Sequence, residues 1–463
     1  MVTMKFNRLL NQQTVAICIG TFLEWGEFTL FGYLIDKIAA VFYPITLNHN
    51  LSIMAAFATF AVSYIARPLG GFIFGIIGDT IGRKPAMYYS LIGMGIATTT
   101  IGLIPAYGDI GILSPLLLII ARIIQGISIS SELCGGAIYL FENNPQTPYL
   151  SSSLNGIVAA CGMFGGAIIA VIISLPYMPS WSWRIPFIIG GAACFWGLYI
   201  RSKLSESDIF LNIKLHDKLV AHPIRELIKH HLPAVIKTFC IAAFIGIYIY
   251  ICNIWWISHV TQNNLVDKID AKAYSTLGQG LMIIFTLTFA SLTEYAKAGK
   301  SFTHTINNSG KTNLITNLII NKNKTKMIIN GIGILRLGLF CSILAAYLLF
   351  MPIAWTAPYL IMAEIMYALG NGAVSATVFK YLSDIFPPSI RYTGQSFIWS
   401  IAVAIFGGSA PLVAQTLSRI NIKYVIIYIA SSAMLAFMIT FWKNHVLSNL
   451  KLKVEYCYKC TKK

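Results

Sequence analysis

Two carboxylates, Glu24 and Glu27, interrupt the apolar and aromatic run TFLEWGEFTLFGY at residues 21–33. A charged side chain at the centre of a bilayer costs roughly 2.5–3.5 kcal/mol even on the milder insertion scales. Two within one helical turn therefore need a reason. If this helix enters the bilayer near residue 13, Glu24 lies ~16 Å deep at ~1.5 Å per residue, close to the midplane. Residues three apart share a helix face, and two like charges that close disfavour joint ionisation. One carboxyl is then expected to hold a proton, or to release it when a partner arrives, which suits a proton-coupled carrier. The plainer alternative is that both glutamates pair with arginines and tie helices together.

Partners for them exist. ARIIQGISISSEL (121–133) places Arg122, Gln125 and Glu132 in a fourth apolar helix, and YLIMAEIMY places Glu364 in a tenth. By the same rise, Arg122 is ~14 Å and Glu364 ~16 Å deep. Three helices thus bring opposite charges to one level, which is tolerable if they face a central aqueous cavity. Arg67 and Glu132 fall nearer one end, where snorkelling or gating fits better than ligand contact. A seventh helix carries YIYICNIWW, with Tyr248, Tyr250, Asn253, Trp255 and Trp256. Such an aromatic box can hold a quaternary ammonium by cation–π attraction. Trp255 and Trp256, at the expected helix end, read better as an interfacial belt.

The elements that must position these residues are membrane helices. The 463 residues are 56% hydrophobic and 11% charged, against about 25% charged in a soluble domain, and the mean hydropathy is +0.70. Twelve apolar stretches are long enough to cross a bilayer, at about 14–42, 51–77, 86–106, 113–141, 150–175, 185–200, 233–257, 273–293, 327–350, 353–379, 393–417 and 422–442. Helices are the expected form, because each satisfies its own backbone in lipid. The first is too long for a cleaved signal peptide. The net charge of +17 is no sign of nucleic acid: with a cytoplasmic amino terminus, 24 of the 34 lysines and arginines fall on the cytoplasmic side, as the positive-inside rule requires. Both termini are then cytoplasmic.

The spans divide six and six around a charged connector. The expected organisation is a bundle at 1–200, a central cytoplasmic loop at 201–232, a second bundle at 233–442 with a polar insert at about 297–326, and a basic tail at 443–463. Two six-helix halves suggest a common transporter plan. SGKT (309–312) in the insert shares the end of a phosphate-binding loop, but Thr305 stands where its first glycine is required and no strand precedes it. ATP binding is rejected. Cys457 and Cys460 form one CxxC; a structural zinc site needs four ligands, so no metal or other cofactor is expected.

GFIFGIIGDTIGRKPAM (71–87) joins the second and third helices. Gly71, Gly75 and Gly78 permit close helix approach. Asp79, Gly82, Arg83 and Lys84 make a tight, charged turn that can act as an ion-pairing latch. Here the chain resembles the major facilitator superfamily, whose signature loop follows G-x-x-x-D-x-x-G-R-K (with Arg often where Thr80 stands). EWGEF, RPLGGFIFGIIGDTIGRK, RIIQGISISSELCGGAIYLFEN, WSWRIPF and DIFPPSIRYTGQSF…AIFGGSAPLVAQTL together resemble its metabolite:proton symporter family. The resemblance runs from the first helix to the eleventh.

It implies symport of a small polar metabolite with protons by alternating access, through a path lined by helices 1, 4, 7 and 10, in a bacterial inner membrane. It places Glu24, Glu27, Arg122, Gln125, Glu364, Tyr248 and Asn253 on the substrate and proton pathway. It places Arg67, Gly75, Asp79, Gly82, Arg83, Lys84, Glu132, Glu142 and Arg391 in gating. Glu142 ends the fourth helix at the face that carries Arg83, and Asp79 is expected near the start of the eleventh helix, around Thr393. A zwitterion such as proline or betaine, or an organic acid, is the expected solute, and a monomer the expected unit. Three departures stand out. Ser130–Ser131 replaces a Gly-Gly pair, the loop after the fourth helix lacks an arginine pair, and LTEYAKAGK keeps only Glu294 and lysines of the latch repeat. The rivals are a proton-coupled antiporter and a transport-inactive sensor of the same fold. A membrane enzyme is not expected, since the loops carry no clustered His ligands and no G-x-S-x-G.

Overall fold

A computed structural model describes residues 12–44, 49–175, 177–308, 330–351 and 355–442. The basic tail with Cys457 and Cys460, and the SGKT segment, lie outside them. The described chain is helical, with no strand among the described residues. Twelve helices are long and apolar enough to span a bilayer: α1 Gln13–Tyr33, α2 Leu51–Thr80, α3 Arg83–Leu103, α4 Leu113–Asn143, α5 Pro148–Ile173, α6 Arg184–Ser202, α7 Leu232–Gln262, α8 Ile269–Ala296, α9 Gly331–Phe350, α10 Ala357–Ile385, α11 Arg391–Ile420 and α12 Ile422–Ile439.

Their outward faces carry exposed Ile, Leu and Phe, such as Ile65, Leu69 and Phe340. In water these would be a liability; in hydrocarbon they are solvated. Two short helices, Asp208–Leu215 and Pro223–His230, stand between α6 and α7. Ser207 caps the first, its Oγ accepting from Phe210 N at 3.2 Å, a bond that satisfies one of the donors a helix start leaves free.

Several boundaries differ from the sequence reading, each for a local reason. The stretch 14–42 breaks at Leu34, leaving a separate helix of about two turns at Ile35–Phe42. α4 breaks at Ser130–Ser131, where the hydroxyls bond within the chain or across to another helix. Ser130 donates to Ile127 O at 2.8 Å and Ser131 meets Tyr392 OH at 2.7 Å. The helix holding α8 continues to Asn308, so its last turns fall in the segment read as a polar insert. α7 passes through a wider π turn at Tyr250–Trp255 and runs on to Gln262. Trp255 and Trp256 are therefore not at a helix end. Both are buried, with indole N–H groups donating to Gln415 Oε1 at 2.9 Å and Leu349 O at 3.1 Å. They belong to the interior and not to an interfacial belt.

Candidate functional site: a latched face and a central cavity

At one end of the molecule α2 meets α11. A Cβ on Gly75 would stand 3.0 Å from Thr393 Cα, so a larger residue would press the two helices apart. Asp79 is buried there and caps the start of α11, accepting from Tyr392 N at 3.1 Å and Thr393 N at 2.7 Å. The helix's positive end favours that anion by ~0.3–1 kcal/mol. Gly82, at φ +151°, adopts backbone closed to other residues and turns Arg83 back toward Asp79. Arg83 then donates to Asp79 Oδ1 at 2.8 Å, Gly78 O at 2.6 Å and Pro388 O at 2.6 Å.

Glu142, at the end of α4, lies between two arginines, with Arg83 Nε at 3.3 Å and Arg391 Nη1 at 2.8 Å. Ser207 Oγ donates to it at 2.5 Å. Lys84 is held by Ser202 O at 2.8 Å, and Glu206 accepts from the backbone N–H groups of Arg83 and Lys84. Burial pushes the Glu206 carboxyl above its usual range, against the pull of those donors. Asp79, Arg83, Glu142 and Arg391 thus tie helices of the first six to helices of the last six. A second tie uses the residue left in the degenerate repeat. Glu294, at the end of α8, accepts from Tyr149 N at 2.5 Å and Leu150 N at 3.3 Å, at the start of α5.

The residues read as one midplane cluster separate into three places. Glu27 is sealed among α1, α3 and α4. It pairs with Arg122 at 3.5 Å and accepts from Gln125 Nε2, which also bonds Thr98 Oγ1 at 3.0 Å. The Arg122 guanidinium lies over Phe31, 3.4 Å from the ring centroid. Glu364 is buried between α10 and α8 beside Gly278 and Tyr367, and its Oε1 has no hydrogen-bond partner. Nearby, Asn253 Oδ1 accepts from Ser275 Oγ at 2.6 Å and Gln279 Nε2 at 3.0 Å. Tyr248 tilts against Tyr367 at 5.2 Å. None of these residues lines the cavity between the two sets of helices. A charge that has a partner behind aromatic rings does not require water.

Glu24 is different. Together with Arg67 it lines a recess, with Trp25, Ser130, Trp399 and Ser400 around it. Glu24 Oε2 and Arg67 Nε are both buried and both lack a hydrogen-bond partner. The recess adjoins a closed-down cavity of about 70 Å³, walled by Trp25, Tyr250, Phe379 and Trp399. Its walls come from α1, α2, α4, α5, α7, α8, α10 and α11, more helices than the four the resemblance implies. Arg67 stacks on Tyr64 at 4.3 Å, and the Tyr64 hydroxyl bonds that of Tyr250 across the molecule.

Glu132 does not reach across. Arg201 holds it with two bonds, at 2.8 and 2.7 Å, and Ser90 Oγ donates at 2.6 Å. Arg201 also binds Ala16 O and Met87 O. The pair staples α1, α3, α4 and α6. Sequence reading placed Arg201 among the loop cations and so missed the staple. Trp25, Phe379 and Trp399 were missed because each sits in an apolar run with no spacing to mark it.

A sequence model of the family "Sugar (and other) transporter" matches residues 13–230. A candidate proline/betaine transporter of Staphylococcus aureus (strain COL) is 30% identical over 422 residues, covering 88% of this chain and 82% of the relative. This chain belongs to the major facilitator superfamily, among its metabolite transporters. The inner membrane metabolite transport protein YhjE of Escherichia coli (strain K12) is 29% identical over 94% of this chain and 95% of its own. Two solved structures share the fold. The human organic anion transporter MFSD10 has a TM-score of 0.66 at 12% identity, covering 93% of this chain and 99% of that one. The proton:xylose symporter XylE has a TM-score of 0.62 at 14% identity, covering 93% of each. This transporter is therefore a multi-pass membrane protein that moves small solutes, and not an enzyme.

Proposed function

We propose that this transporter is a symporter that couples uptake of a small zwitterion, of the proline or betaine type, to protons. One observation carries the reading: a buried carboxylate oxygen and a buried guanidinium N–H, both without partners, share one recess of an aromatic cavity. A ligand with one negative and one positive group satisfies both. Its carboxylate takes Arg67 and its ammonium takes Glu24, while Trp25, Phe379 and Trp399 offer ring faces to a quaternary nitrogen. An organic acid leaves Glu24 unanswered. The relatives' names agree with this choice.

The proton is assigned to the helix 1 carboxyls. Glu27, closed off with a single arginine, is the group whose charge the rest of the site feels least directly and whose proton the cavity must reach through Glu24. The bundles 1–200 and 233–442 rock as monomer halves about the linker 201–232. Arg83, Lys84 and the linker's cations support, by the positive-inside rule, a cytoplasmic latched face, with both termini on that side. The latch then holds the outward-facing state.

The test is uptake of labelled proline, betaine and a tricarboxylate into proteoliposomes with and without an imposed proton gradient. The reading expects the zwitterions to accumulate only with the gradient. Accumulation of the tricarboxylate alone, or of zwitterions regardless of gradient, contradicts it.

A further inference from the structure

An open groove of about 400 Å³ lies on the latched face, outside the transport cavity. Phe72 and Ile76 of α2 form one wall, and the linker residues Ala221–Arg225 form the other. Three features define what it fits. First, Ile65, Leu69, Phe72 and Ile76 recur at intervals of four, three and four on α2, and the first three are exposed. They make a lipid-facing apolar stripe ~16 Å long at ~1.5 Å per residue, which ends at the groove. Second, Arg225 and His222 stand at that end. The acid beside them, Glu226, is turned to His230 and His231 at 4.0 and 3.9 Å, so it does not answer Arg225. Third, the walls belong to different parts of the transport machinery. α2 carries Asp79, while the helix Pro223–His230 packs on α11 and α7, with Leu227 against Gly394.

We propose that this groove binds an anionic phospholipid. An acyl chain lies along the α2 stripe and the headgroup phosphate takes Arg225, with His222 beside it. Cations at the membrane surface attract such headgroups, and an apolar stripe leading into them selects a lipid over a soluble anion. Because the lipid touches both α2 and the linker, it fits only while the latch is closed and so favours the latched state. The inference does not depend on the identity of the transported solute.

Lipid retention by the purified full chain tests it. The protein is equilibrated with mixed phosphatidylcholine and phosphatidylglycerol, and bound lipid is counted by native mass spectrometry. Wild type should retain phosphatidylglycerol preferentially. Arg225→Gln should weaken retention about fivefold, the equivalent of ~1 kcal/mol per cation at the surface. Arg225→Lys should keep it. Ala221→Trp, which fills the groove without changing charge, should abolish it. Both positions are exposed, so these variants leave the packing alone. Retention equal to wild type in Arg225→Gln and Ala221→Trp overturns the proposal. So does full displacement of the lipid by soluble glycerol phosphate, which would show a phosphate site and not a lipid site.

Discussion

The interior of α1–α6 and the interior of α7–α12 solve one problem in opposite ways. The first six helices bury carboxylates in fixed ion pairs: Glu27 with Arg122, Glu132 with Arg201, and Asp79 with Arg83. The last six hold a mostly neutral network of Asn253, Ser275, Gln279, Tyr367 and Asn371, with Glu364 at its edge. A buried ion pair is strongly directional, and losing one member leaves an uncompensated charge. A neutral network that loses a member leaves unpaired polar groups, at ~1–3 kcal/mol, but no uncompensated charge. The first half therefore reads as the part that fixes charge in place, and the second as the part that can repack around it.

The largest effect should come from breaking a staple. Arg201→Met leaves Glu132 buried without a counter-charge, and should cost ~3–5 kcal/mol of stability. Thermal unfolding in detergent measures it, and Arg201→Met with Glu132→Leu should recover most of the loss. If the single variant unfolds like wild type, the pair is not what orders these helices. Next, Arg122→Lys should lose uptake altogether. It keeps the charge but loses the planar guanidinium that stacks on Phe31 and meets Gln125 and Glu27. Normal uptake by that variant would remove Arg122 from the mechanism. Glu27→Gln should abolish gradient-driven accumulation while substrate exchange persists, whereas Glu24→Gln, which also removes the partner of the substrate's ammonium, should lose both. Accumulation at the wild-type level in both would make the two carboxyls structural.

A smaller shift is expected at the latch. Asp79→Asn weakens the cap on α11 and its tie to Arg83. A bias of ~1.4 kcal/mol changes the conformational equilibrium about tenfold. A cysteine placed at Ser375 in the cavity of a cysteine-free background should then label faster from the latched side. Unchanged labelling with reduced transport would give Asp79 another role. The smallest effect on transport belongs to the second region. Asn253→Ala unpairs Ser275 and Gln279, should cost ~1–3 kcal/mol of stability and leave proton coupling intact; loss of coupling there would erase the contrast between the halves.

The latch was legible in sequence because its chemistry is local. Asp79, Gly82 and Arg83 sit within one turn, and their partners Glu142 and Thr393 mark helix ends that hydropathy locates. The twelve spans were legible because lipid imposes length and apolarity on each. The grouping of buried charges was not. Depth along a helix puts Glu24, Arg122 and Glu364 at one level, but level says nothing about azimuth. Side chains 69 residues apart, such as Glu132 and Arg201, meet only through packing. The π turn at Tyr250–Trp255 carried α7 past its expected end, and so moved two tryptophans from the membrane surface into the interior. Glu294 looked like the remnant of a lost motif, yet it still caps α5.

The central claim is that Arg67 and Glu24 together recognise a zwitterion. Equilibrium binding to the purified protein tests it most directly, read by the fluorescence of Trp25 and Trp399 in the cavity wall. Betaine should bind, whereas a quaternary ammonium without the carboxylate and a carboxylate without the ammonium should each bind at least ~30-fold more weakly. That factor follows from leaving one buried charge unanswered at ~2 kcal/mol or more. Equal binding of betaine and either half-molecule would contradict the claim.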